Sequence, residues 1–321
     1  MNSKPIIITT GDLKSVFFEI FFKSIKKNIK SPIILICNKK DFLKQAKKYS
    51  FNKKIFLISS EDLNKNFHYS KKNLNIINVD LDSCLNKKYK INIEKFYIQE
   101  SFKIAFKLIR KGLTNKFING PINKKKFLNN KNLGITEYIS KKFKTKNYAM
   151  LIFNKNLSVS PLTTHTPIRM VSSKIKREII KKQIQYINDF YTKTLGIKPR
   201  IAVTGLNPHC ETILNIDEDK KEVLPAILDM KKKKILVDGP VSADTIFLQD
   251  NRKRYNVVIG MYHDQVLGPF KSLFEYDAIN ITIGLPFFRI SPDHGPNVKM
   301  IGKNKSSPQS LLNAFTFLDK I

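Results

Sequence analysis

The 321-residue sequence predicts an α/β protein of two lobes built on mostly parallel sheets. Three observations predict it. Short apolar runs rich in β-branched residues alternate with segments of helical periodicity, the pattern of strands joined by crossover helices. Several of these runs lead directly into polar or Gly- and Pro-containing segments, which puts candidate functional loops at the carboxyl ends of strands. The length, with a hydrophobic content of 42%, supports a substantial core divided between two lobes.

In chain order, Pro5 to Thr10, Pro32 to Cys37, Lys54 to Ser59, Asn75 to Val79 and Lys116 to Ile118 read as strands. Ile93 to Arg110 reads as a crossover helix, because Phe96, Ile98, Phe102, Ala105 and Leu108 share one face and Gly112 supplies a stop. A long helix over about Ser172 to Leu195 precedes three more strands, Ile201 to Thr204, Ile235 to Val237 and Val257 to Met261. Ile279 to Ile283 is a further strand, Gly284 to Gly302 reads as irregular, and a helix over about Pro308 to Asp319 closes the chain. There is no internal repeat and no Pro- or Ser-rich linker, so the chain is expected to cross between lobes more than once.

Composition excludes several function classes. No run approaches the roughly 20 apolar residues of a membrane span, and the N-terminal apolar run stops at Gly11-Asp12 without a leader-like pattern, which favours the cytoplasm. Cys37, Cys84 and Cys210 are odd in number and far apart, so neither a disulfide framework nor a CxxC metal site is indicated. The formal charge of +32 on its own suggests an anionic partner such as nucleic acid. The lysines are instead spread through nearly every segment among Asn, Ile and Phe, as an AT-rich coding sequence produces, and runs such as Lys231 to Lys234 read as solvated faces.

Of five histidines, His165, His209 and His263 each follow a strand-like run. Three neutral imidazoles bind a borderline divalent metal and leave a coordination position open. Their sequence separations are too wide for a small zinc module, and from spacing alone each could equally be an ordinary loop or core residue.

The surrounding motifs are more specific. Thr163-Thr164-His165-Thr166-Pro167, Gly205-Leu206-Asn207-Pro208-His209, Gly239-Pro240-Val241-Ser242-Ala243-Asp244-Thr245, Met261-Tyr262-His263-Asp264-Gln265 and Asn280-Ile281-Thr282-Ile283-Gly284-Leu285-Pro286 occur in an order that resembles the 4-hydroxythreonine-4-phosphate dehydrogenase family. That resemblance implies a two-lobed isocitrate/isopropylmalate dehydrogenase-like fold, with residues 1–125 plus about 280–321 in one lobe and about 126–279 in the other. It implies His165, His209 and His263 as metal ligands, and Thr136, Lys271, Asn280 and Arg289 as substrate contacts whose cations and polar groups suit phosphate and carboxylate oxygens. Ser291 to Asn297 resembles a nucleotide loop, with Gly295 and Asn297 against NAD and His294 assigned away from the metal. No GxGxxG is present, so dinucleotide binding rests on the resemblance. Asp244 is the candidate proton carrier or, in the plainer reading, the cap of a helix from Thr245; Asp264 supports local structure.

The resemblance implies NAD-dependent oxidation of 4-phosphooxy-L-threonine, assisted by zinc or alternatively magnesium or cobalt, followed by decarboxylation to 3-amino-2-oxopropyl phosphate. It also implies a homodimer with the active site at the subunit interface. Two departures point elsewhere. The Gly-rich Gly-Asp-Pro-Ala-Gly-Ile-Gly-Pro-Glu opening of the family is here Gly11-Asp12-Leu13-Lys14-Ser15-Val16-Phe17-Phe18-Glu19, and Ile135 stands where a histidine commonly precedes the threonine. Ile135 keeps open a sibling acting on threonate or erythronate 4-phosphate. From another class, a basic, catalytically weakened nucleic-acid-binding protein is the remaining rival.

Overall fold

The computed structural model describes residues 4–59, 67–82, 92–128, 134–212 and 217–321; Cys84 lies outside them. The described strands are β1 (Ile6–Thr9), β2 (Ile33–Cys37), β3 (Ile55–Ile58), β4 (Leu74–Asn78), β5 (Lys116–Asn119), β6 (Ala149–Phe153), β7 (Ser158–Thr163), β8 (Ile201–Thr204), β9 (Val237–Val241), β10 (Val257–Tyr262), β11 (Ile279–Ile283) and β12 (Phe288–Pro292). The chain divides into two compact units, Met1–Ile135 with Pro286–Ile321, and Thr136–Leu285.

In the first unit the strand order is β3-β4-β2-β1-β5-β12, and every neighbouring pair is parallel. All four residues of β1 are buried, as the unbroken Ile-Ile-Ile-Thr run requires of a strand covered on both faces. The crossover helix Ile93–Arg110 forms where the periodicity predicts, but Phe96, expected on its buried face, is only partly buried and Tyr97 is buried instead. Asn92 caps it by accepting from the Lys95 amide at 3.0 Å, and Gly112 at φ 75° follows its end. Its buried face carries Tyr97, Ile98, Phe102, Ala105, Phe106 and Leu108. With 23 phenylalanines and no tryptophan, phenylalanine is the large filler of this core. The Phe22 ring lies 5.4 Å from that of Phe42 and 5.2 Å from that of Phe51, and burying each such side chain contributes about 1.5–3 kcal/mol. Lys116 is buried, and its Nζ donates to the Leu318 carbonyl at 2.6 Å near the end of the helix Gln309–Leu318. Burial lowers its pKa.

The second unit has the order β11-β6-β7-β10-β8-β9. The pairs from β7 to β9 are parallel, while β6 is antiparallel to both neighbours. The helix Arg177–Phe190 buries Ile180, Ile184 and Ile187. Gln183 on the same helix donates to Ser160 Oγ on β7 at 2.6 Å, and Tyr191 just beyond it donates to Ser158 Oγ at 2.9 Å. Helix and strand are therefore joined by buried hydrogen bonds as well as by packing.

The helix Ile93–Arg110 and the strands Ile201–Thr204 and Ile279–Ile283 match their sequence-based expectation. Three other segments differ. The helix expected over Ser172 to Leu195 is broken into Val171–Lys174 and Arg177–Phe190, with Lys176 extended between them at φ −133° and ψ 136°, and it ends in a π-helical turn, Tyr191–Leu195. Buried Ile175 and the Glu222 carboxylate, which accepts from the Arg177 amide at 2.7 Å, fix that break from outside the segment. The strand expected at Ile235 to Val237 begins only at Val237, because the Ile235 amide donates to the Met230 carbonyl in the turn that ends the preceding helix. The stretch expected to be irregular contains β12, ordered by parallel pairing with β5. No helix among the described residues is long and apolar enough to cross a membrane.

Candidate active site

Three adjacent parallel strands of the second unit bring the histidine-bearing loops together. β10 lies between β7 and β8; His165 follows the end of β7, His263 begins the helix directly after β10, and His209 lies in the short helical turn after β8. The rings of His165 and His263 have centroids 6.2 Å apart at an interplanar angle of 33°. The two rings are therefore neighbours at adjoining strand ends. His209 is exposed at the end of the neighbouring strand. Among the described residues no group of three His, Cys, Asp or Glu side chains is close enough to hold a metal ion. The structure thus pairs two of the three predicted ligands and leaves the third outside that pair. His263 Nδ1 lies 2.8 Å from Asp264 Oδ1, an arrangement that puts the ring proton on Nδ1 and the lone pair on Nε2.

The loops are held by side chains that the motif reading gave no role. Gln265 is the chief of these. Its Oε1 accepts from the Met261 amide at 2.7 Å and from Thr204 Oγ1 at 2.9 Å, and its Nε2 donates to the Gly205 carbonyl at 2.8 Å. One amide therefore joins the ends of β10 and β8. Thr163 Oγ1 donates to the Met261 carbonyl at 2.8 Å and joins β7 to β10 in the same way. A Cβ at Gly260 would come within 2.3 Å of Val266 Cγ1, so the helix after β10 packs directly on its strand.

The His209 loop is bound by Asp219, which is 1% exposed. Its carboxylate accepts from the Leu206 amide at 2.7 Å, the Asn207 amide at 2.9 Å and Asn207 Nδ2 at 3.1 Å. Held there, His209 and Cys210 take left-handed backbone angles, φ 56° and 64°, that non-glycine residues rarely adopt. Burial, and after it the charges of Asp219, Asp244 and Glu211, raise the Cys210 thiol above its usual range. Asp244 is thus within electrostatic reach of this loop. No α-helix starts at Thr245: residues 243–247 form turns and the next helix is Gln249–Arg252, so Asp244 does not serve as the cap of such a helix.

The predicted substrate contacts are distributed over both units. Thr136 is in the first turn of the helix Ile135–Lys142, and Lys271 is two turns beyond His263 on the helix His263–Phe274. Asn280 is on β11, and its Oδ1 is buried with no hydrogen-bond partner among the described residues. Ile135 is 6% exposed. Arg289 belongs to the first unit, on β12, and is also buried. In the predicted nucleotide loop, Asn297 is exposed and left-handed at φ 48°. Among the described residues nothing would lie within 4 Å of a Cβ at Gly295, so packing within the chain does not require a glycine there. His294 Nδ1 is 2.9 Å from the Gly295 carbonyl.

The altered N-terminal loop is held at the positions it shares with the family pattern. Gly11 has φ 77°, and a Cβ there would lie 2.2 Å from the Pro121 carbonyl oxygen. Asp12 donates its amide to that carbonyl at 2.9 Å, and its Oδ2 accepts from the Asn123 amide at 2.9 Å. Glu19 Oε1 accepts from the Ser306 amide at 2.6 Å and from Lys23 Nζ at 2.8 Å.

Comparison with known proteins adds to this geometry. The model of the family described as pyridoxal phosphate biosynthetic protein PdxA matches residues 29–318. The chain is similar to 4-hydroxythreonine-4-phosphate dehydrogenase of Sulfurihydrogenibium sp., with 34% identity over 316 residues that cover 96% of this chain and 95% of that one. It is 36% identical over 212 residues to D-threonate 4-phosphate dehydrogenase of Pectobacterium atrosepticum, covering 65% of each. Among solved structures it resembles 4-hydroxythreonine-4-phosphate dehydrogenase from Klebsiella pneumoniae with a TM-score of 0.81, at 27% identity and 99% coverage of both chains.

Proposed function

Because the chain belongs to the family of pyridoxal phosphate biosynthetic protein PdxA, we propose that it is an NAD-dependent dehydrogenase of 4-phosphooxy-L-threonine. The substrate's secondary alcohol gives a hydride to NAD and a proton to the protein, leaving a 2-amino-3-oxo acid. The carboxylate then departs as carbon dioxide, because the ketone β to it accepts the electron pair of the breaking bond, and protonation of the resulting enolate at carbon gives 3-amino-2-oxopropyl phosphate. The observation that carries this reading is the placement of His165 and His263 at the ends of adjoining parallel strands, 6.2 Å apart, with His209 at the end of the next.

His165, His209 and His263 would hold a divalent cation, zinc first and magnesium or cobalt as alternatives, which when bound supplies Lewis acidity at the substrate hydroxyl oxygen. The remaining chemistry falls to the chain. Asp264 fixes the His263 ring so that Nε2 carries the lone pair. The Asp244 carboxylate takes the hydroxyl proton. Lys271, Thr136, Asn280 and Arg289 bind phosphate and carboxylate oxygens. Gly295 and Asn297 lie against NAD. The working form is a homodimer to which the partner contributes a ligand histidine; full activity from a demonstrated monomer across a dilution series would remove this part of the reading.

A second reading has its own support. Ile135, buried at 6% exposure, offers no hydrogen bond at the position preceding Thr136, and one similar relative is a D-threonate 4-phosphate dehydrogenase. NADH formation by metal-supplemented protein with 4-phosphooxy-L-threonine and with D-threonate 4-phosphate separates the two. The first substrate should be turned over, and a folded His209→Ala variant should lose activity by about a hundredfold or more. Turnover confined to the sugar acid would transfer the assignment to the sibling.

A further inference from the structure

We infer that Asn119 is the positioning residue for Arg289, turning its guanidinium toward an anionic group of the substrate without cancelling its charge; this rests on the reading of Arg289 as a substrate contact. Arg289 on β12 pairs in register with Phe117 on β5. Side chains alternate along a strand, so Asn119, two residues beyond Phe117, projects from the same face as Arg289. Both residues are 3% exposed, and Arg289 Nε donates to Asn119 Oδ1 at 2.7 Å.

The orientation of the asparagine amide is settled by its other end. Asn119 Nδ2 donates to the Gly120 carbonyl at 3.0 Å, which leaves the oxygen for the guanidinium. Gly120 is itself fixed: its amide donates to the Thr9 carbonyl at 2.7 Å, and a Cβ there would lie 2.1 Å from the Thr10 carbonyl oxygen. Asp12 holds the far side of this turn through Pro121 and Asn123. The retained Gly11-Asp12 pair of the altered loop therefore acts through the 119–123 turn on the orientation of Arg289.

The choice of an amide over a carboxylate is informative. Either would accept from the guanidinium, but an aspartate would also bring a negative charge of its own. Asparagine supplies the acceptor and adds no negative charge, which suits a cation that must still bind phosphate or carboxylate.

The test uses the full-length, metal-supplemented protein and compares Asn119→Ala, Asn119→Asp and Arg289→Lys by KM, kcat and Tm, with 4-phosphooxy-L-threonine and D-threonate 4-phosphate as substrates. Where turnover is slow, the dissociation constants of the same two acids by titration calorimetry give the same comparison. Asn119→Ala is expected to raise KM about tenfold or more with a smaller change in kcat, the effect of one hydrogen bond to a charged group. Asn119→Asp should raise KM at least as much. Restoration of wild-type KM by Asn119→Asp, or a fall in Tm without a rise in KM for Asn119→Ala, overturns the positioning role and leaves the asparagine structural. An unchanged KM in Arg289→Lys with both acids overturns the reading of Arg289, and the inference with it.

Discussion

The histidine-bearing strand ends of the second unit and the N-terminal loop of the first are both held by residues other than those assigned to chemistry, but by different means. Around the histidines the work is done by side chains: Gln265 spans two strand ends and Asp219 gathers three donors of one loop. In the N-terminal loop much of it is done by backbone. Gly11 lets the chain pass against the Pro121 carbonyl, and the Asp12 amide donates to that same oxygen. Where backbone groups hold a loop, a side chain can change without leaving a buried polar group unpaired. Where side chains hold it, substituting one of them leaves a buried polar group without its partner.

The largest effect expected from this contrast is at Gln265. Gln265→Leu strands the Met261 amide and the Gly205 carbonyl, and should cost about 2–4 kcal/mol of stability and about 10- to 100-fold in zinc affinity. Denaturant unfolding and chelator competition measure the two quantities. Wild-type values of both would break the contrast.

Asp219→Asn comes next, at about 1–3 kcal/mol, since one amide oxygen must replace a carboxylate that serves two backbone donors. Zinc affinity should fall with stability, because the left-handed angles of His209 depend on that loop. A loss of stability alone would separate the fold of the loop from ligand placement.

In the first unit Gly11→Ala should cost about 1–3 kcal/mol, through both its positive φ and the close Pro121 oxygen, while exposed Lys14→Ala in the same loop should stay within about 0.5 kcal/mol. Equal effects at the two positions would show that side chains, and not the backbone, hold this loop.

The smallest effect belongs to a surface side-chain contact between exposed Arg177 and part-buried Asp229. Arg177 donates to both Asp229 oxygens, at 2.8 and 2.7 Å, and these hydrogen bonds hold the carboxyl at about 2, below its ordinary 3.8. A depressed carboxylate stabilises the fold above its unfolded pKa, and that contribution is lost as pH falls through the folded value. Asp229→Asn should therefore lower Tm slightly at neutral pH, and the difference from wild type should vanish as pH approaches about 2. A difference that persists in acid would mean that the asparagine disturbs packing instead.

Much of the fold was legible because strands such as β1 and β5 are buried along their whole length and several read as unbroken apolar runs. The parallel α/β class and the helix Ile93–Arg110 followed from such patterns. β12 did not, because a five-residue segment containing a buried arginine, with Pro286 before it and Pro292 as its last residue, has the composition of a loop. The break between Lys174 and Arg177 lacks any glycine or proline; Glu222, distant in sequence, caps the new helix. Among the candidate site residues, the histidines announced themselves through their motifs, whereas Asp219 looked like one acid among several in a charged stretch. Its place beneath Leu206 and Asn207 is visible only in three dimensions.

The sequence by itself determined the kinds of element and the chemical groups at their ends: an imidazole after each of three strands, and a polar motif around each. Only the tertiary structure decided that those strands are neighbours. β10 pairs with β7 on one side and β8 on the other, although β8 and β9 separate it from β7 along the chain. Periodicity reports local backbone preference and which face is buried, whereas strand order depends on long-range pairing and packing energy shared by segments far apart in sequence.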